Sequence, residues 1–174
     1  VESVLVARGM PTEVIAAALV NAMAESGLNP NAVGDSGASV GIFQLHERGA
    51  GKGMSVAARK DPATNTKRIA DEYDRYGGAI RAAYAAGERD VGKLAGMWST
   101  YIERPSDKVG EATRRAARAA KLFPGLVSTG SRVAVFSEGV NGMGALVGVA
   151  LLAGLLVYRK VYAARPANAR TVKA

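Results

Sequence analysis

The first 124 residues alternate between stretches with helical hydrophobic spacing and stretches rich in small polar residues. After Pro11, apolar side chains recur every three or four positions as far as Gly27, which predicts a buried helix. Residues 31–53 lack this period and surround the short apolar run Val40–Phe43 with Gly, Ser and Asp, which predicts a loop or small hairpin. Helical spacing then returns and predicts four more helices, at 62–76, 79–86, 90–102 and 106–122.

The chain changes character after this helical part. A Pro-Gly pair at 124–125 and a Ser/Gly/Thr cluster predict a linker. Residues 139–158 then contain no charged side chain over 20 positions, enough for a helix to cross a hydrocarbon core of about 30 Å. This length favours a membrane span over a buried soluble helix. The pattern therefore predicts a domain at 1–124, a linker at 125–138, a single C-terminal transmembrane helix at 139–158 and a basic tail at 159–174.

The apolar segment carries two further signals. Gly144 and Gly148 share the four-residue spacing that lets membrane helices pack closely, which predicts self-association, although glycine is also frequent throughout this chain. Arg159 and Lys160 follow the segment directly, so the positive-inside rule places the C-terminus on the cytoplasmic side. The N-terminal domain would then face the opposite side of the bilayer.

Charge and composition exclude several classes of site. The net charge of +8 is divided unevenly, because residues 1–124 hold 17 basic against 14 acidic side chains and the C-terminal part holds 6 against 1. A domain so nearly balanced gives poor support to specific nucleic-acid binding. With no cysteine and one histidine, we expect neither a metal centre nor a cofactor.

Glu25 occupies an unusual position on the first predicted helix. On a wheel of 100° per residue it falls inside the apolar stripe that begins at Val14. Burial favours the neutral carboxylic acid and raises its pKa, and a protonated carboxylic acid is what glycoside cleavage needs as its general acid. The wheel alone leaves open a last-turn glutamate whose side chain turns out to solvent.

The residues after Glu25 separate these alternatives. The segment Glu25–Leu45 consists of a helix-ending Glu-Ser, an Asn-Pro, a Ser/Gly-rich turn and a Gly-Ile-Phe-Gln run. It resembles the signature of the lysozyme-like superfamily, in particular lytic transglycosylases, goose-type lysozymes and phage tail lysozymes. Residues Tyr101–Pro105 are similar to an aromatic-x-Glu-Arg-Pro segment of the phage domains. The resemblance spans about 12–123 and implies a mostly α-helical lysozyme-like domain with a short irregular or β insertion, acting on the glycan strands of peptidoglycan.

The resemblance also implies roles for individual residues. Glu25 would act first as general acid and then as base. The groove beside it would be lined by Ser36, Ser39, Gly41 and Gln44, with Gly41 allowing a sugar to approach the backbone. Three further candidates for substrate contact are Tyr84, Tyr101 and Glu103.

Some of these residues have plainer interpretations. Glu103 could simply pair with its neighbour Arg104, and His46 is better explained as a structural residue than as a catalytic one. The segment around Tyr84 matches the transglycosylase pattern only loosely.

The sequence leaves the nucleophile open. A hydrolase with two carboxylates needs a partner about 5 to 9 Å from the acid, and the candidates are Asp35, Glu47 and Glu103. A lytic transglycosylase needs no such partner, because the 6-hydroxyl of the muramic sugar attacks and leaves an anhydro end. We favour this second route, since no position of a second carboxylate is fixed by the sequence.

The setting predicted for this enzyme is a phage virion. The N-terminal residues do not have the pattern of a secretory signal, whereas a virion delivers its proteins from outside during genome entry. We therefore expect the protein in a virion's internal membrane or injection apparatus, or in the host inner membrane with its domain facing the wall. The alternative is an inactive lysozyme-like structural or ejection protein whose apolar helix forms part of a membrane channel.

Overall fold

Helices dominate the part of the chain that the computed structural model describes, residues 1–126. The helices are α1 (Glu2–Ala7), α2 (Thr12–Ser26), α3 (Val56–Lys60), α4 (Pro62–Tyr76), α5 (Gly78–Ala85), α6 (Val91–Trp98) and α7 (Lys108–Leu122). Between α2 and α3 lies a small sheet of strands β1 (Val33–Gly34), β2 (Ser39–Val40) and β3 (Leu45–His46). The prediction of a mostly α-helical domain with a short β insertion is confirmed.

Helix α2 is the centre of the domain. Every side chain from Val14 to Ala22 is buried, because α6 and α7 pack against the helix. Its sequence is rich in alanine and aliphatic residues, so neighbouring helices can approach it closely on several sides. The helix ends at Gly27, whose φ of 64° suits the left-handed conformation that terminates helices. Both predicted ends of this helix are confirmed.

The largest buried side chain belongs to α6. Trp98 is fully buried and its ring stacks on that of Tyr73 from α4, with ring centroids 5.4 Å apart. Burial of two aromatic rings contributes several kcal/mol by area, and their stacking adds about 1 kcal/mol. This contact fixes the C-terminal end of α6, which is where the chain turns toward the candidate site.

The sheet is an antiparallel meander with the order β1-β2-β3. Val33 pairs with Val40, and Ser39 pairs with His46. Residues 31–53 were predicted to form a loop or small hairpin, and of the apolar run at 40–43 only Val40 lies in a strand. At Gly41 the φ of 88° turns the chain away from the sheet, so the rest of the run forms the turn that leads to β3.

Three local features differ from the predicted elements. Helices α1 and α3 were not predicted; they have six and five residues, too short for a clear hydrophobic period. Of the helix predicted at 90–102, only Val91–Trp98 is α-helical, and Ser99–Glu103 form a wider π-turn directly after it. In this π-turn the backbone N–H of Arg104 donates to the carbonyl of Ser99 at 2.8 Å, five residues back.

The predictions for the C-terminal part lie outside the described residues. They concern the linker, the transmembrane helix at 139–158 with Gly144 and Gly148, and the basic tail. Within residues 1–126, none of the helices combines the length and the apolar character that crossing a bilayer requires.

Candidate active site

Glu25 lies in the last turn of α2, where the helix comes to the surface. Its side chain is 27% exposed, in contrast to the fully buried residues one and two turns earlier. The next residue, Ser26, donates its hydroxyl to the carbonyl of Ile42 at 2.7 Å. Glu25 therefore sits where the helical core meets the turn between β2 and β3.

Arg115 on α7 organises the charged groups around Glu25. Its Nη2 donates to Glu25 Oε1 and to Glu103 Oε2, the latter at 3.1 Å. Its Nη1 forms an ion pair with Glu111 Oε2 at 2.9 Å. The Arg115 side chain is only 10% exposed, so one buried guanidinium faces three carboxylates. We call Glu25, Glu103, Glu111 and Arg115 the acidic cluster.

Asn21 fixes the orientation of this guanidinium. It is fully buried on α2, one turn before Glu25, and its Oδ1 accepts from Arg115 Nε at 2.9 Å. Its amide group donates to the carbonyls of Ala17 and Ala95, at 2.8 and 3.1 Å. Because every polar atom of Asn21 is used, the amide cannot turn over without losing hydrogen bonds.

Two glycines of α6 let Arg115 reach α2. A Cβ at Gly96 would lie 3.2 Å from the carbonyl oxygen of Ala112, and one at Gly92 would lie 3.5 Å from Ala116, both on α7. Small residues at this spacing allow α7 to pack close to α6. The close packing places the Arg115 side chain against the end of α2.

The π-turn after α6 positions Glu103. It ends at Arg104, whose φ of 56° is left-handed, and Arg104 Nη2 donates to the buried Glu72 Oε2 at 3.2 Å. The same guanidinium lies over the ring of Tyr76, 4.2 Å from its centroid. Glu103 and Arg104 therefore do not pair with each other, because Glu103 contacts Arg115 and Arg104 contacts α4 on the other side of the turn.

The electrostatics of the cluster oppose full ionisation. Burial raises the pKa of Glu103 to about 7, and the nearby charge of Glu25 adds to this effect while Arg115 opposes it. Burial likewise raises the pKa of Glu25, against the opposing effect of Arg115. The charges of Glu111 and Asp35 raise the Glu25 pKa further. The predicted rise in the pKa of Glu25 is confirmed. The single guanidinium of Arg115 does not neutralise all three carboxylates of the cluster.

The hairpin residues named from the sequence are held mostly by bonds within the hairpin. Ser36 is exposed in a left-handed conformation, whereas Ser39 is buried and its hydroxyl donates to the Asp35 carboxylate. Gln44 has a φ of 45° and donates its side-chain amide to the carbonyl of Gly41 at 2.9 Å. The effect of Asp35 on the Glu25 pKa places this hairpin beside the acidic cluster.

Gly41 is required by packing within the domain, and its role in letting a sugar approach the backbone stays a prediction. A Cβ at Gly41 would overlap the carbonyl oxygen of Arg59 and the side-chain amide of Asn65. Asn65 is fully buried; its amide donates to the Val40 and Arg59 carbonyls and its Oδ1 accepts from the Phe43 N–H. Because Gly41 has no side chain, the turn can pack directly against Arg59 and Asn65.

Among the remaining candidates, only Tyr84 is placed far from Glu25 by its contacts. Tyr84 donates its hydroxyl to Glu13 Oε2 at 3.1 Å, at the start of α2 and about 18 Å along the helix axis from Glu25. Tyr101 lies in the π-turn with its side chain 42% exposed. His46 Nδ1 accepts from the backbone N–H of Arg48, a bond within its own turn.

The sequence did not single out Arg115, Asn21 or Asn65. A signal existed for Arg115: it is three residues after Ala112 and four before Ala119, on the face of α7 with small side chains. Within residues 1–126, no group of three or more His, Asp or Glu side chains is arranged to hold a metal ion.

Comparison with known proteins gives one result that agrees with this arrangement. The family model described as phage tail lysozyme matches residues 1–126, which is the whole described domain, including α1. No curated protein and no solved structure matches the chain. The family model supports a lysozyme-like role in peptidoglycan degradation. Because the match covers well over half of the sequence and includes Glu25 and the hairpin after it, the chain belongs to the phage tail lysozyme family.

Proposed function

We propose that the protein cleaves the glycan strand of peptidoglycan between N-acetylmuramic acid and N-acetylglucosamine, with Glu25 as the general acid. The observation that carries this proposal is the half-buried Glu25 carboxyl, which meets the surface between the acidic cluster and the hairpin. Burial raises its pKa, so it holds a proton at higher pH than an ordinary glutamate. A protonated carboxyl that a bound glycan can reach from the surface is what the leaving glycosidic oxygen requires.

Arg115 supports the second half of the same step. When Glu25 gives its proton to the leaving oxygen, the carboxylate that forms already accepts a hydrogen bond from Arg115 Nη2. A charge-assisted bond in a water-poor site stabilises this anion without further rearrangement. The anion then takes a proton from the attacking hydroxyl and so returns to its starting form.

The arrangement narrows the choice of a second carboxylate. Glu103 contacts the same guanidinium nitrogen as Glu25 and is 13% exposed, so it does not lie across a bound sugar from Glu25. Of the other two candidates, Glu47 is exposed and is not among the charges that act on Glu25, whereas Asp35 on the hairpin is one of them. The Asp35 carboxylate already accepts the Ser39 hydroxyl. We therefore retain attack by the sugar's own 6-hydroxyl, with formation of an anhydro end, as the proposed route.

The proposed setting is a phage virion, where the enzyme opens the cell wall locally during genome entry. Membership in a family of tail lysozymes supports this setting. The apolar segment at 139–158 would attach the enzyme to a membrane or to the injection apparatus. An inactive structural protein is the competing hypothesis, and an activity assay distinguishes the two.

The test uses the full chain in a peptidoglycan cleavage assay with Glu25→Gln beside Glu13→Gln. Both substitutions remove a carboxylate from α2, but Glu13 lies at the opposite end of the helix. We expect Glu25→Gln to lose at least about 100-fold in rate, the usual contribution of a general acid, while Glu13→Gln stays near the wild-type rate. Full activity of a folded Glu25→Gln variant would contradict the proposal, and an inactive wild-type chain would favour the structural alternative.

Mass spectrometry of the same digest identifies the route. Anhydro-muramyl ends, each lighter by one water than a hydrolytic end, are expected, with only a modest rate change in Asp35→Asn. Reducing ends together with an inactive Asp35→Asn variant would instead make this a hydrolase with two carboxylates.

A further inference from the structure

The last three turns of α7 carry positive charge and no negative charge. Residues 112–122 include four basic side chains and no acidic one. Two of the four have carboxylate partners, because Arg115 belongs to the acidic cluster and Arg114 pairs with carboxylates nearer the start of the helix. The other two, Arg118 and Lys121, are exposed, and neither has a carboxylate partner in the described part of the chain. We call Arg118 and Lys121 the basic pair.

The basic pair lies beside the end of α2 that carries Glu25. Arg118 Nη1 donates to the carbonyl of Met23, in the last turn of α2, at 3.3 Å. One turn earlier on α7, Arg115 contacts Glu25 in the same turn of α2. Arg118 is not among the charges that act on the pKa of Glu25. It therefore lies next to the candidate site and takes no part in its protonation.

The two cations are accessible and face each other without a counter-charge. Side chains three residues apart share one face of a helix, so the charges of Arg118 and Lys121 repel. Ala117 and Ala120, their neighbours along α7, are exposed and small, and cover neither cation. Arg118 uses one nitrogen for the Met23 carbonyl and keeps its other donors for a further acceptor. An anion bound to both side chains would relieve their repulsion.

We propose that the basic pair binds the free carboxylates of the peptide stems of peptidoglycan, so that the protein recognises the stem together with the glycan. This assignment rests on the proposed function, because cleavage at Glu25 requires muramic acid, the sugar that carries the stem, to bind there. Arginine and lysine both bind carboxylates through charge-assisted hydrogen bonds.

The reach of the stem fits the position of the pair. An extended peptide advances about 3.5 Å per residue, so a carboxylate two or three residues from the sugar lies about 7 to 10 Å away from it. This distance is similar to the separation of about 8 to 10 Å between the axes of packed helices, and α7 packs against α2. A stem that leaves a sugar bound at Glu25 can therefore extend to Arg118.

Phosphate polymers fit the same surface less well. Binding of DNA depends on many contacts between basic side chains and phosphates, and the pair supplies two. Neither DNA nor a lipid headgroup is attached to the sugar that binds at Glu25. The peptide stem is attached to it covalently, so the pair meets a stem carboxylate whenever the glycan is bound.

The first experiment compares cleavage of two soluble preparations of uncrosslinked peptidoglycan strands. One preparation is intact, and in the other the free peptide carboxyls have been converted to primary amides, which leaves the glycan unchanged. The full-length enzymes are the wild type, Arg118→Gln and Lys108→Gln. Lys108 is the matched control, since it is exposed on the same helix but ten residues, or about 15 Å, from Arg118.

On intact strands, Arg118→Gln should raise KM about fivefold, as expected for an exposed charge pair, with kcat nearly unchanged. Lys108→Gln should stay near the wild type. Amidation of the strands should raise the wild-type KM by a similar factor and remove the difference between the wild type and Arg118→Gln. The alkaline limb of the pH profile of cleavage should stay in place, because Arg118 does not act on Glu25.

Two further variants separate recognition from a structural role. Lys121→Gln has no bond to α2 to lose, and it should raise KM in the same direction as Arg118→Gln. Arg118→Lys keeps the charge and should recover most of the loss. A KM increase that is equal on intact and amidated strands, or an unchanged KM in both glutamine variants, would overturn the proposal.

The second experiment needs no activity. Full-length protein is sedimented with insoluble peptidoglycan, intact or amidated, and with vesicles of phosphatidylglycerol and phosphatidylcholine. Binding to intact peptidoglycan that falls severalfold on amidation and in Arg118→Gln, but not in Lys108→Gln, would support the proposal even if the wild type cleaves nothing and the proposed function fails. A loss in Arg118→Gln that appears only with the vesicles would overturn it and assign the pair to phosphate.

Discussion

Two regions meet at the end of α2, and they satisfy their buried polar groups in different ways. In the acidic cluster, side chains bond to side chains, and charges face one another around Arg115. In the hairpin of residues 33–46, side chains bond mainly to backbone: Asn65 holds Val40 and Phe43, and Ser26 holds Ile42. The bonds of the acidic cluster hold charged side chains in place, whereas the bonds to the hairpin hold its backbone in place.

Under the proposed function, this difference corresponds to the two tasks of a glycan-cleaving site. A proton must be kept at one carboxyl, which depends on a few charged atoms and their burial. A sugar strand must be accommodated in a groove, which depends on the shape of a loop that has little regular structure of its own. Changes in the cluster should alter protonation as well as stability, whereas changes to the hairpin backbone that leave Asp35 in place should alter stability and binding with little effect on pH dependence.

The strongest test of this contrast removes the central charge of the cluster. Arg115→Met leaves Glu25 and Glu103 without their guanidinium, and breaking a buried ion pair costs about 3 to 5 kcal/mol. Arg114→Met changes the neighbouring residue, whose partners Asp107 and Glu111 lie nearer the surface, and should cost less than about 1 kcal/mol. Chemical denaturation measures both. Equal losses of unfolding free energy would mean that the cluster stabilises the fold no more than surface ion pairs do.

The second test changes only the shape of the hairpin. Gly41→Ala adds a methyl group that overlaps the backbone of Arg59 at a φ of 88°, so a loss of about 3 kcal/mol in stability is expected. Gly37→Ala is the matched control, because Gly37 also has a positive φ but open space beside it, and about 1 kcal/mol should be lost. If the alkaline limb of the pH profile moved in a folded Gly41→Ala variant, the proposed separation of the two regions would be wrong.

The third effect expected is a pH dependence of stability that originates at Glu103. Its pKa of about 7 in the folded chain exceeds its ordinary value of 4.5, so folding retains a proton that unfolding releases. The stabilisation is fully present below the ordinary value and is lost as pH rises through about 7. Relative to Glu103→Gln, the wild type should lose on the order of 3 kcal/mol between pH 4 and 8.

In the same denaturation series, Glu111→Gln should change the pH dependence of folding stability in the opposite direction. Its hydrogen bond with Arg114 lowers the pKa of Glu111, so its contribution is lost as pH falls. Parallel pH curves for the wild type and Glu103→Gln would contradict the burial of a protonated Glu103.

The helical part of the fold was predictable because helical periodicity is local. The pattern after Pro11 placed α2 and Glu25, and α4 and α7 were found nearly to their ends. The acidic cluster was not predictable in this way. Arg115 lies between Arg114 and Arg118 on a helix with many basic residues, and the small residues on its face of α7 show that this face is packed without showing that Arg115 reaches the end of α2.

The hairpin shows the same limit from another direction. Gly41 was singled out for sugar approach, but its spacing did not indicate that a side chain there would overlap Arg59 and Asn65, 18 and 24 positions further along the chain. Such contacts depend on how α3 and α4 pack against the sheet. The hydrophobic periodicity of the sequence carries no information about that packing. Glu103 is a similar case, because the π-turn sets its direction and the apolar spacing of α6 does not foretell where that turn begins.

The π-turn at Ser99–Glu103 makes the length of this segment as important as its composition. Its wider hydrogen bond, from Arg104 to Ser99, accommodates one residue more than a regular turn. Each residue advances a regular helix by about 100°, so removing one residue here would rotate Glu103 away from Arg115 even if every remaining side chain were kept. This segment should therefore tolerate a substitution more easily than an insertion or a deletion. The number of residues between Trp98 and Pro105 determines the direction of Glu103, whatever those residues are.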